Sequence, residues 1–183
     1  LPSWSSSFGH SALRSCFCIP HYHMLLWAPL RRRYRPVVCQ EIADGKHPTT
    51  RIAAASSADS GVAEACAWKC MEMLEVLPGL TLLELFGRGF KHGFQGNMQI
   101  GRGGSPRSAG DGLTSDKKSH FTNLRRHTGV SFEQMVFFDD CNWEDNCRRV
   151  ARACPGVVTQ RTPNGLTMEE FRRALEKYAK AHS

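Results

Sequence analysis

Long hydrophobic runs are scarce in this 183-residue chain. The longest near its start, "MLLWAPL" (24–30), is far short of the roughly 20 residues a membrane helix needs, so no transmembrane helix is expected. Nor is any C-x-x-C pair present among the eight cysteines, at 16, 18, 39, 66, 70, 141, 147 and 154. That argues against a disulfide framework and for a reduced intracellular chain. The cluster "CFCIPHYH" holds Cys16, Cys18, His21 and His23, which are zinc-type ligands. Their spacing is not a standard one and no finger-like pattern flanks them, so no metal site is assigned there. Acidic residues are absent before Glu41, and the segment is rich in Ser and Arg, the composition of an organelle transit peptide. The chain starts at Leu1 rather than Met, which reads as an incomplete or misplaced start. The expected location is the cytoplasm, or an organelle if that first segment is a transit peptide.

What is abundant is positive charge. The net formal charge of +7, from 24 Lys and Arg against 17 Asp and Glu, favours anions in general. One basic cluster, "RRRYR" (31–35), reads as a solvated face or an arm, and nucleic acid is not the expected partner.

The length suits one α/β domain. Residues 1 to 50 sustain neither period 2 nor period 3.6 and are expected to be irregular. The organised domain then runs over 51–183, with a flexible insertion at 101–114. Within it "GRGGSPRSAGDG" (101–112) is crowded with turn formers. No helix start follows at the offset a phosphate loop requires, so those glycines are read as a mobile, dispensable loop. "RIAAAS" (51–56) reads as a strand, followed by a helix with Val62, Cys66 and Met73 at helical spacing. "SDKKSHFTNLRRHTG" (115–129) places Phe121 and Leu124 on one helical face and stops at Gly129. A further helix carries Trp143, Cys147, Val150, Ala151 and Cys154 before Pro155 and Gly156. "GVVTQ" (156–160) is another strand. The last helix opens on a Thr167/Glu170 capping box and buries Met168, Phe171, Leu175 and Tyr178. Alternating strands and helices imply a doubly wound, largely parallel sheet with helices on both faces.

The stretch "QMVFFDDCNWEDN" (134–146) poses a chemical problem. A buried strand runs straight into two carboxylates, Asp139 and Asp140. One of them has an ordinary use as the cap of the next helix. The second calls for a cation, and Mg²⁺ takes one or two carboxylates together with substrate phosphate oxygens.

"HFTNLRRHTGVSFEQMVFFDD" resembles the segment joining the third and fourth motifs of the haloacid dehalogenase superfamily, in particular its magnesium-dependent phosphatase branch. "TPNGLT" (162–167) is similar to that branch's C-terminal loop, and "AAAS" (53–56) to its second motif. The resemblance covers about residues 51 to 180. It implies that Ser56 hydrogen-bonds a phosphoryl oxygen, that Lys117, three residues before His120, neutralises its charge, and that Asp139 and Asp140 hold Mg²⁺. Those are the electrostatic parts of a phosphoryl-transfer site.

Two departures accompany the likeness. The branch usually has Arg after the motif-two Ser, and this chain has Ser57. Its members also open with a hydrophobic strand ending in Asp-x-Asp-x, whose first Asp attacks phosphorus and whose second serves as acid and base. No such motif exists here, and before residue 59 the only Asp is Asp44. The expectation is a magnesium-dependent phosphatase relative, acting on a phosphorylated small molecule or phosphoprotein, with its nucleophile missing. The alternative is a non-catalytic binding protein of the same fold that recognises phosphorylated or anionic partners.

Overall fold

The computed structural model describes residues 37–58, 60–87, 94–101, 112–142 and 144–183, with 16–19 and 94–95 described by backbone alone. In chain order the elements are β1 (Cys16–Ile19), α1 (Val37–Ala43), β2 (Arg51–Ser56), α2 (Gly61–Met73), β3 (Glu75–Leu77), β4 (Leu80–Thr81), α3 (Leu82–Gly87), α4 (Phe94–Asn97) and β5 (Met98–Ile100). Then follow α5 (Lys117–Thr128), a 3-10 turn, β6 (Met135–Asp139), α6 (Asn146–Ala153), β7 (Val158–Arg161) and α7 (Met168–Ala181). Five strands form one sheet in the order β5-β2-β1-β6-β7, and every pairing in it is parallel. This is the doubly wound α/β arrangement that the alternating pattern predicts.

Strand β6 shows why an unbroken apolar run was needed. All five of its residues are buried, and consecutive side chains leave a strand on opposite faces. Phe137 therefore meets Phe121 of α5 edge-on, with ring centroids 5.0 Å apart, while Phe138 lies against Phe171 of α7 on the other side at 6.1 Å. One apolar layer joins Ala53, Ala55, Met135 and Phe137 to α5 and α6. The other joins Ile52, Ala54, Val136 and Phe138 to α1, α2, α3 and α7.

The helix limits follow local chemistry. Ser60 caps α2 by accepting from the Ala63 amide, and Asp116 caps α5 by accepting from Lys118. Gly129 ends α5 in the left-handed region at φ 71°, where a side chain is disfavoured. Both halves of the Thr167/Glu170 capping box are formed. Thr167→Ala is expected to lower stability by about 1 kcal/mol. A urea titration showing an unchanged midpoint would mean that this cap is not holding α7.

Several expectations are corrected. The segment expected to be irregular, residues 1 to 50, contains two elements. β1 is the central strand of the sheet, and α1 buries Val38 and Cys39. A four-residue strand is too short for a periodicity signal to develop. Val62 and Met73 are exposed, at 82% and 66%, so α2 faces the core through Trp68, with Ala63, Ala67 and Met71 partly buried beside it. Ala151 of α6 is also exposed, while Cys147, Val150 and Cys154 are buried as the stripe requires. Most of the expected insertion (102–111), Trp143, and the His21 and His23 of the cysteine–histidine cluster lie outside the described residues. No helix among the described residues is long and apolar enough to cross a membrane. The six described cysteines are free thiols, and burial pushes that of Cys39 up to about 12.

Candidate functional site

The carboxyl ends of parallel strands form the crevice where ligands bind in this architecture. Register fixes what meets there. Cys18 of the central strand pairs with both Ala53 and Phe137. Counting two residues on, Ala55 stands level with Asp139, and three residues on, Ser56 stands level with Asp140. They lie on β2 and β6, the two strands that pair with β1 on either side. The sequence that leaves β1 reads Pro20-His21-Tyr22-His23 and contains no carboxylate.

From above, the first turn of α5 delivers Lys117 to the same end of the sheet. Lys117 is only 3% exposed. Its ammonium donates to the Ala55 carbonyl at 2.8 Å and to Ser57 Oγ at 2.9 Å. The Ser57 hydroxyl in turn donates to the Ser115 carbonyl at 3.3 Å. Position 57, where the family usually has Arg, is thus occupied by a side chain that holds Lys117. The ammonium is brought out of water beside oxygen acceptors, as a buried cation requires. Ser56 presents its carbonyl to the Gly101 amide at 2.9 Å and to His120 Nε2 at 3.1 Å.

The two aspartates are treated differently. Asp139 is 2% exposed, and its Oδ1 accepts from the Cys141 amide at 2.8 Å and from Asn146 Nδ2 at 3.1 Å. Asp140 is half-buried and tied by both oxygens to Asn142, through the backbone amide at 3.2 Å and Nδ2 at 3.0 Å. Neither caps the following helix. That role belongs to Asp145, which accepts from the Arg148 amide. The turn that allows both side chains to fold back on their own backbone runs through Cys141, which has φ 54°. Burial raises the Cys141 thiol above its ordinary range.

A buried carboxylate at the carboxyl end of a strand suits a hard cation. Asp139, with Asp140 at the next position, offers oxygen donors of the kind Mg²⁺ takes while keeping waters for its remaining sites. Among the described residues there is no group of three or more His, Cys, Asp or Glu able to hold a metal by themselves. His120 and Ser57 were not singled out as site residues by sequence reasoning. His120 lay inside the motif as a signal, but backbone carbonyls as partners leave no trace in a sequence.

A parallel sheet with a lysine and a carboxylate at its strand ends fits a haloacid dehalogenase-like α/β domain. The family profile described as Acid Phosphatase matches residues 34–181. The Magnesium-dependent phosphatase 1 of Homo sapiens is 36% identical over 67 residues, which is 37% of this chain and 36% of that protein. The aligned part thus spans little more than a third of that relative. No solved structure gives a significant match. The chain belongs to the magnesium-dependent phosphatase family of the haloacid dehalogenase superfamily.

Proposed function

We propose that this chain binds phosphate monoesters together with Mg²⁺ at the carboxyl end of its sheet, and that as written it does not hydrolyse them. The observation that carries the reading is the buried Lys117 ammonium, anchored to Ala55 and Ser57 at the strand level of Asp139. A buried cation at a ligand crevice is suited to neutralising phosphoryl oxygens, where the low dielectric strengthens the attraction. The Ser56 hydroxyl would donate to one of those oxygens, and Asp139 with Asp140 would hold the metal. Mg²⁺, when bound, would draw phosphoryl charge toward the aspartates. A phosphorylated small molecule and a phosphoprotein both present this group, so the substrate class is the phosphate monoester.

Turnover needs an attacking group near 3 Å from phosphorus. In the family's logic that group is an Asp at the end of the central strand, and none follows β1 in this sequence. Calorimetry with orthophosphate, with and without Mg²⁺, should show binding that depends on the metal. In Asp139→Asn that dependence should vanish. Hydrolysis of p-nitrophenyl phosphate should not exceed that of a Lys117→Ala, Asp139→Ala control. Robust turnover lost in the control would overturn the non-hydrolytic reading and point to a nucleophile elsewhere in the chain. Identical Mg²⁺ response in the wild type and Asp139→Asn would remove the metal assignment.

A further inference from the structure

We infer that His120 is a positioning residue for the Lys117 ammonium. Lys117 and His120 are three residues apart and so lie on one face of α5. They grip consecutive carbonyls of β2, Lys117 that of Ala55 and His120 that of Ser56. Of the two carbonyls beside the ring, that of Ser56 is the nearer, at 3.1 Å; with the imidazole hydrogen on Nε2 the ring donates to it, and Nδ1 is then an acceptor that makes no bond to the Asp116 carbonyl. On its other side the ring lies against α5's own start, with Nδ1 3.3 Å from the Asp116 carbonyl and 3.4 Å from Ser119 Oγ. The ring is completely enclosed, at 0% exposure. It therefore spans from the N-cap of α5 to the end of β2, and the Ser56 carbonyl it holds also receives the Gly101 amide from the end of β5.

The mechanical consequence concerns the lysine. A Lys side chain has four rotatable bonds and loses much rotamer freedom when fixed, so its head group stays placed only if its own backbone is fixed. His120 supplies that fixity with a rigid ring and two torsions. Without the His120 bond, α5's first turn is free to lift from β2, and the ammonium moves with it. Half an ångström is enough to spoil a site that works by placement.

The functional meaning rests on the proposed phosphate site, but the test does not need that site to be active. The full chain is treated with an amine-acylating reagent, and the rates at Lys117 and at exposed Lys118 are read by peptide mass spectrometry. His120→Phe keeps ring volume and loses both nitrogens. His120→Asn is too short to reach Ser56 and covers the case in which the Phe variant fails to fold. His120→Gln restores a donor near the Nε2 position. Lys117 should be acylated about 10-fold faster in the Phe and Asn variants, the equivalent of about 1.4 kcal/mol of easier opening, with Lys118 unchanged. In His120→Gln the Lys117 rate should return to within about twofold of wild type. A loss of general packing would raise both lysines and would not be rescued by Gln. Unchanged Lys117 rates in Phe and Asn, or Gln as fast as Asn, would overturn the inference. Orthophosphate titration of the same proteins separates the two claims. A wild type that ignores phosphate yet shows the labelling pattern would defeat the proposed function and leave the positioning role standing.

Discussion

Lys117→Met should weaken orthophosphate binding by one to two orders of magnitude while the protein stays folded. The side chain is nearly the same length, so the filled volume is retained and what disappears is the charge and its donors. Hydrogen bonds to charged groups contribute about 1.5–3 kcal/mol, which corresponds to roughly 10- to 150-fold in affinity. Stability also falls, because the Ala55 carbonyl and the Ser57 hydroxyl lose a donor they meet at 2.8 and 2.9 Å. That loss is offset in part by removal of a cation from a site that is 3% exposed. Lys118→Met is the matched control, being the next residue and exposed. If isothermal titration gave the two variants equal affinities, the +7 surface would be attracting phosphate diffusely and Lys117 would have no special place.

Phe137→Ala should remove about 3–5 kcal/mol of folding stability, the range for truncating a buried aromatic. That is a large share of a total typically near 5–15 kcal/mol. The ring is fully buried, and its edge-on partner Phe121 is fully buried as well. Neither backbone has room to close the gap, since β6 is paired on both sides by β1 and β7. Val62→Ala, at an 82% exposed position, should change stability by no more than about 0.5 kcal/mol. Urea unfolding of both variants decides the matter. A cost below about 1.5 kcal/mol for Phe137→Ala would mean that α5 repacks easily, and the fixed placement of Lys117 would lose its support.

How much of this was readable in the chain depends on the length of the signal. α5, α6 and α7 carry caps, stops and stripes that a sequence states directly, and Gly129 and Thr167 sit where those signals put them. β6 was readable because an apolar run of four can only be buried on both faces. The hairpin of β3 and β4 turns through Gly79 at φ 74° with strands of three and two residues, too short for any period to show. β1 failed for the same reason, and its central position is set by pairing with two strands distant in sequence. In the site, the family resemblance pointed to Lys117, and a buried strand running into two carboxylates pointed to Asp139 and Asp140. The division of labour between the aspartates was not visible, because it depends on a left-handed Cys141 and on Asp145 taking the cap. The role of Ser57 was hidden too, since its partner lies 60 positions away.

Those long separations have a kinetic side. The bonds from α5 to β2 join residues 60, 62 and 64 positions apart, so each closes a loop comparable to a third of the chain. Such contacts form only after the intervening chain has been gathered, and local helix formation cannot create them in advance. No fragment or partly unfolded form therefore possesses the crevice, and an anion that binds there recognises the native state alone. Binding is then coupled to folding by mass action. At a phosphate concentration a hundred times Kd, the native state gains about 2.7 kcal/mol over the unfolded chain, and the unfolding temperature climbs with each addition of ligand.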